Sequence, residues 1–78
     1  MYYVYFLELV NSTTYVGYTH DLKQRLNYHN SGFVPSTKPH IPAKLKSYIA
    51  VETETLAINL EKYFKSGSGK ALAQKRLW

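Results

Sequence analysis

Cysteine is missing from the chain altogether, so neither a disulfide nor a thiolate metal site can be built from it. Any metal must be held by carboxylate, imidazole or hydroxyl groups, which favours a hard ion such as Mg2+ or Mn2+. Long apolar runs are also missing. Nothing approaches the ~20 residues of a membrane span, and the opening Met1 to Phe6 lacks the basic leader of a secretion signal. Together with the absent thiols this leads us to expect a cytoplasmic protein with no membrane partner. Acidic residues are scarce: five Asp and Glu against ten Lys and Arg leave a formal charge of +5. On a chain of 78 residues that excess suits a polyanionic partner, nucleic acid first, although many small basic proteins bind nothing in particular. So short a chain buries a small share of its surface and has a thin stability margin. No internal repeat and no second domain is visible, so residues 1–78 read as one domain.

What is present is aromatic. Tyr2 to Val10 is rich in aromatic and branched residues and reads as a strand. Tyr3, Tyr5, Leu7 and Leu9 share one face, and Val4, Phe6 and Glu8 the other. Both faces are largely apolar, as in a central strand covered on both sides. Asn11-Ser12 is a turn signal, and Thr13 to Gly17 follows as a second strand that ends at Gly17, where a bulky side chain would not fit. Thr19 or Asp21 offers a cap for a helix over Asp21 to Asn30, with Leu22, Leu26 and His29 near one stripe. Asn30-Ser31-Gly32 stops it. The three prolines, Pro35, Pro39 and Pro42, fall together in a structured loop over residues 32–43. Leu45 to Val51 reads as a third strand. Thr53 caps a helix that runs to Lys65, with Leu56, Leu60 and Phe64 as its buried stripe and Glu54 at its positive end. Ser66 to Gly69 breaks it, and Lys70 to Trp78 is a short basic helix or tail.

Taken in order, Tyr3-Val4-Tyr5, Tyr15 to Thr19, His29 to Gly32, Ser36 to Pro39 and Glu61 to Gly69 resemble the motifs of the GIY-YIG nuclease superfamily. They resemble its small stand-alone members most closely. The match spans nearly the whole chain. The resemblance implies an α+β fold, a three-stranded antiparallel sheet flanked by helices, and a single divalent ion. It implies a metal-dependent endonuclease acting on DNA, in repair or recombination; RNA stays open as a substrate. By position, Tyr5 and Tyr15 match the tyrosines of the two motifs, Arg25 the family arginine, His29 the frequent histidine and Glu61 the metal-binding glutamate. Tyr18 stands where some relatives carry a lysine, and Ala73 where some carry an asparagine.

The residue types suit phosphodiester hydrolysis, which needs a deprotonated nucleophile, a stabilised phosphate and a protonated leaving oxygen. Glu61 is a natural anchor for magnesium, which accepts one carboxylate with waters and a substrate phosphate. It is equally placed for an ordinary ion pair with Lys65 one turn on. Arg25 and His29 lie one turn apart, the first suited to grip two phosphate oxygens and the second to assist proton transfer. In the family-like reading Tyr15 takes the proton of the attacking water and Tyr5 orients water or phosphate. A free tyrosine with its pKa of ~10 needs a nearby cation or metal-bound water to serve as a base at neutral pH. Most of the eight tyrosines are packing residues on the same grounds. Tyr18, Lys38, Lys44, Lys65 and Lys70 are the expected nucleic-acid contacts, with Ser36-Thr37-Lys38 as a basic loop gripping the backbone without reading sequence. Gly67 and Gly69 read as a flexible helix break. Two other readings stay open: a nucleic-acid-binding module that cuts little, and a protein-interaction domain. The oligomeric state is open as well.

Overall fold

Strands form where aromatic and branched residues alternate. In the computed structural model, which describes residues 1–76, these are β1 (Tyr2–Glu8), β2 (Thr14–Thr19) and β3 (Lys44–Val51). They make one antiparallel sheet in the order β2-β1-β3. The chain thus adopts the α+β arrangement expected of it, a three-stranded sheet with helices against it. β1 is central and has no wet face. Val4 and Phe6 point into one apolar cluster, and Tyr5, Leu7 and Leu9 into another. Full burial of such side chains contributes roughly 1.5–3 kcal/mol each, which makes β1 the strand on which both halves of the core depend.

The turn at Asn11-Ser12 forms as expected, with Ser12 at a left-handed φ of 66° and the Asn11 side chain accepting from the Thr13 hydroxyl at 2.6 Å. Gly17 does not end β2, however. The strand runs on through Tyr18 to Thr19, and Gly17 sits in its interior opposite Tyr5. The expected shortage of room is real: a Cβ on Gly17 would collide with the Tyr5 ring and hydroxyl.

Helix α1 (Leu22–Asn30) is capped by Asp21, whose carboxylate accepts from the Gln24 amide at 3.0 Å. It closes on Gly32 at φ +81°. The Gly32 amide donates to the His29 carbonyl and the Phe33 amide to the Tyr28 carbonyl, the paired bonds of a Schellman ending. The Asn30 side chain then bonds both backbone groups of Ala43, clamping the far end of the proline-containing loop to α1. A single 3-10 turn, Lys38–His40, lies inside that loop.

Helix α2 (Glu54–Lys65) begins at Thr53, whose hydroxyl accepts from the Leu56 amide at 3.2 Å. Its buried stripe is Ala57, Leu60 and Phe64, and Leu56, assigned to that stripe from its spacing, is exposed. Ala57 is the reason: its small side chain lets the helix lie close to the sheet, and Leu56 is turned outward by one residue's rotation. The expected break at Ser66 to Gly69 shrinks to Ser66. Its hydroxyl accepts from the Gly69 amide and so starts α3 (Gly67–Arg76) at once. Nor is Gly69 a flexible joint, since a Cβ there would strike the Tyr63 carbonyl and lie 2.7 Å from the Phe64 Cα. The close crossing of α2 and α3 requires a glycine. Ala73 of α3 is fully buried beside Phe64 and Ala57. Leu77 and Trp78, the end of the expected basic tail, lie outside the described residues. Among the described residues no helix is long and apolar enough to cross a membrane.

Candidate active site

β2 is an edge strand, so side chains from both faces of the sheet can meet along its free margin. Tyr5 and Gly17 are register partners, and Tyr15 lies two residues before Gly17. Tyr5 and Tyr15 therefore project toward α1 from one face, and Gly17 leaves room beside them. From the other face α2 brings Glu54 and Glu61 around the same margin. The result is one cleft of about 320 Å3 whose lining includes Tyr5, Tyr15, Arg25 and Glu61. Four of the five residues proposed for catalysis from the sequence thus share one wall. Tyr18, which replaces a lysine of some relatives, lines it too, with its hydroxyl 3.5 Å from a Glu54 carboxylate oxygen.

The fifth residue, His29, is wholly buried behind the cleft. Its Nε2 is 2.9 Å from the Tyr5 hydroxyl and its Nδ1 2.9 Å from the Thr37 hydroxyl. The proton order follows from one observation. Thr37 has a single hydroxyl hydrogen, and it is aimed at the Val34 carbonyl at 3.3 Å. The Thr37 oxygen must then accept from His29 Nδ1–H, which leaves Nε2 with a lone pair to accept from the Tyr5 O–H. Tyr5 therefore holds its hydrogen inward and turns oxygen lone pairs toward the cleft. Burial, then the neighbouring Tyr15, pushes the Tyr5 phenol well above the usual tyrosine range, against the downward pull of Arg25. Burial, then Arg25, lowers the His29 imidazole. Both directions agree with a neutral pair in which Tyr5 donates. Tyr18 is also raised, by desolvation and then by the Glu54 carboxylate.

Thr37 is fully buried, so it cannot be part of a phosphate-gripping loop as its basic neighbours suggested. Of the expected nucleic-acid contacts, Tyr18 lines the cleft and Lys65 stands beside it. Its ammonium is 3.5 Å from Glu61 and 5.6 Å from the centroid of the Tyr15 ring. The ordinary helix ion pair and the cleft position of Glu61 are thus both present. The aliphatic stem of Lys38 lies over Gly32 at the end of α1. Lys44 stands opposite Glu8, at the end of β1 away from the cleft, and Lys70 is exposed on the first turns of α3. Sequence reasoning missed Glu54 as a cleft residue because its place at the start of a helix already accounted for it. The seven-residue spacing to Glu61, two turns on one face, is the signal in the sequence that points to it.

Among the described residues no group of three or more His, Asp or Glu is gathered as a metal cage. The cleft instead offers Glu61, about one-fifth exposed, with Glu54 on the same wall. This donor set fits a hard divalent ion held by a single carboxylate, with water and substrate oxygens completing its shell.

The lowered imidazole has a consequence for stability. Above the ordinary histidine pKa of ~6.5 both folded and unfolded chains hold His29 neutral, and its pH term vanishes. As pH falls below that value the unfolded chain takes up a proton that the folded one refuses. Stability is then lost with a slope approaching about 1.4 kcal/mol per pH unit, until the folded group also titrates. Thermal melts between pH 8 and pH 5 are therefore expected to fall below about pH 6.5. His29→Gln should melt lower at pH 8 and lose less on acidification. A variant as acid-sensitive as the parent would refute the assignment of the neutral imidazole.

The family described as the GIY-YIG catalytic domain matches residues 1–76. A UPF0213 protein of Streptococcus pyogenes serotype M3 is 41% identical over 64 residues, covering 81% of this chain and 70% of its own length. One from Streptococcus agalactiae serotype V is 39% identical over 70 residues, covering 88% of this chain and 80% of its own. The solution NMR structure of a UPF0213 protein from Bacillus halodurans superposes with a TM-score of 0.59 at 30% identity, over 96% of this chain and 84% of that one.

Proposed function

The chain belongs to the GIY-YIG catalytic domain family, and from that premise we propose that residues 1–78 act as a metal-dependent endonuclease that hydrolyses DNA phosphodiester bonds. The observation that carries this reading is the convergence of Tyr5, Tyr15, Arg25 and Glu61, from four separate elements, on one cleft at the margin of β2. Glu61 would hold the ion. A bound Mg2+ or Mn2+ supplies charge neutralisation and polarises the phosphate.

The protein's own groups have distinct tasks. Arg25 grips the phosphate with a planar guanidinium able to hold two oxygens. Tyr5 keeps its own proton, donated as a hydrogen bond to His29, and presents lone pairs, so it accepts a hydrogen from the attacking water and fixes its direction. Tyr15, on the same face with its ring centroid 6.4 Å from that of Tyr5, acts as the phenolate and takes the proton of the attacking water. Meanwhile that water oxygen bonds to phosphorus, the bond to the leaving oxygen breaks, and the leaving oxygen is protonated from solvent water. His29 is a positioning residue that acts through Tyr5, and Thr37 fixes its tautomer. Lys65 offers an ammonium within reach of both Glu61 and Tyr15. No element resembles a dedicated base-reading module, so cleavage would be structure-selective or weakly sequence-selective. Such nicking suits DNA repair or recombination in the cytoplasm.

Supercoiled plasmid is expected to become nicked circles in the presence of magnesium or manganese, before any linear form appears, because one site cuts one strand. Chelator should stop it. Failure of clean preparations to nick with either ion would overturn the enzyme assignment. One observation favours a second reading, a nucleic-acid-binding module that cuts little. Ala73, at the position where some relatives carry an asparagine, is packed in the core and can lend no polar group to the cleft.

A further inference from the structure

Among the described residues outside the cleft, the most exposed large aromatic surface lies at the C-terminal end of α1. Tyr28 and Phe33 stack at 5.1 Å between centroids and 27° between planes. They are 47% and 64% exposed. The geometry is held by the helix ending itself, because the Phe33 amide donates to the Tyr28 carbonyl and Gly32 takes the left-handed turn between them. A contact between these two positions often accompanies such an ending and serves only to staple it. A staple alone, however, would not gather cations around the rings. The Arg25 guanidinium lies 5.9 Å from the centroid of the Tyr28 ring. It lines both the catalytic cleft and a second depression formed with Gln24 and Tyr28. The Lys38 stem packs over Gly32, the residue before Phe33 in the chain.

We infer that Phe33, backed by Tyr28, is a stacking platform for an unpaired nucleobase of a DNA strand whose neighbouring phosphates meet Arg25 and Lys38. The occupant follows from the chemistry. A rigid aromatic face with Arg25 at one ring and Lys38 rooted at the turn between the two rings matches a base flanked by phosphates, and the chain is basic overall. Bases within a duplex are stacked on one another and present no free face, so the platform selects single-stranded, frayed or flapped DNA. Arg25 joins the platform to the cleft, so the stacked nucleotide lies close to the phosphate presented for cutting. This names a substrate class for the proposed nuclease. It rests on the nucleic-acid part of that reading and not on cleavage.

The test is a binding measurement in chelator, where cutting is silent. Fluorescence anisotropy would compare a short labelled oligothymidylate with a blunt, GC-clamped DNA duplex of equal phosphate number, at low salt. Phe33→Ala is expected to weaken oligothymidylate binding about tenfold and duplex binding less than about twofold, and Phe33→Trp to restore the difference. Circular dichroism melts would confirm that both variants fold. Equal loss on both probes, no loss on either, or a parent protein that binds neither would overturn the platform. So would a parent dimer that Phe33→Ala converts to monomer with DNA affinity unchanged, since the patch would then be a protein interface. If the parent nicks nothing yet shows the expected selectivity, the enzyme reading fails and the platform stands.

Discussion

Glu61→Gln is expected to lower metal-dependent nicking by about a thousandfold or more, equivalent to about 4 kcal/mol of transition-state stabilisation, with the fold intact. The two halves of this expectation come from different observations. Stability should change by no more than about 0.5 kcal/mol, because the partner of Glu61 is the half-exposed Lys65 at 3.5 Å, and such i, i+4 pairs contribute little. Activity should collapse because glutamine keeps the size of the side chain but removes the charge that would anchor the ion. DNA affinity in chelator should hold or rise slightly. One negative charge leaves the cleft and Lys65 is freed to meet a phosphate. The loss therefore belongs in kcat and not in KM. Glu54→Gln is the informative companion, since Glu54 shares the cleft wall and faces the Tyr18 hydroxyl. A drop of tenfold or less there, against about a thousandfold for Glu61, would assign the ion to Glu61. Equal collapse would mean that the two carboxylates share it. Nicking at the parental rate in Glu61→Gln would end the proposed chemistry.

How far the sequence discloses this site depends on the range over which each signal acts. The caps at Asp21 and Thr53, the turn at Asn11-Ser12 and the stop at Gly32 are visible because each works within four or five residues. The two apolar faces of β1 are visible because alternation is a property of one strand. Leu56 was misplaced because a spacing of four residues fits two neighbouring stripes of a helix. Only the close seat of Ala57 against the sheet decides between them. The break at Ser66 to Gly69 was overread for a similar reason: glycine marks flexibility and close approach alike, and Gly69 is required by the crossing of α2 and α3. The link of Thr37 to His29 could not be seen, since it bridges a proline-containing loop whose path no local rule fixes. The proton order of the Tyr5–His29–Thr37 chain was hidden with it. The cleft itself was legible only through the family motifs. Nothing in the spacing of residues 5, 15, 25 and 61 says that an edge strand will let two faces of a sheet share one pocket.

Gly17→Ala, a change of one methyl group, is expected to cost about 3 kcal/mol of stability, from overpacking of about 1–3 kcal/mol and buried hydrogen-bonding groups left short of a partner. The new Cβ would lie 2.6 Å from the Tyr5 Cζ and closer still to its hydroxyl. Tyr5 is nearly fully buried and cannot swing into solvent without opening the core beneath α1. Whichever way its ring moves, the 2.9 Å bond to His29 is broken, and the imidazole loses its acceptor role inside the protein. For a domain of this size the melting temperature should fall by about 12–24 °C, and nicking should fall about a hundredfold even at temperatures where the variant is folded. Backbone strain is not the cause, because Gly17 does not occupy a left-handed conformation. The cross-strand clash therefore predicts a specific coupling. In a Tyr5→Ala background the space is vacant, and Gly17→Ala should then cost less than about 0.5 kcal/mol. A double-mutant cycle read by urea unfolding measures that difference directly. Additive losses at the two positions would show that Gly17 is needed for some other reason, and the account of how β2 makes room for the Tyr5 hydroxyl would fail.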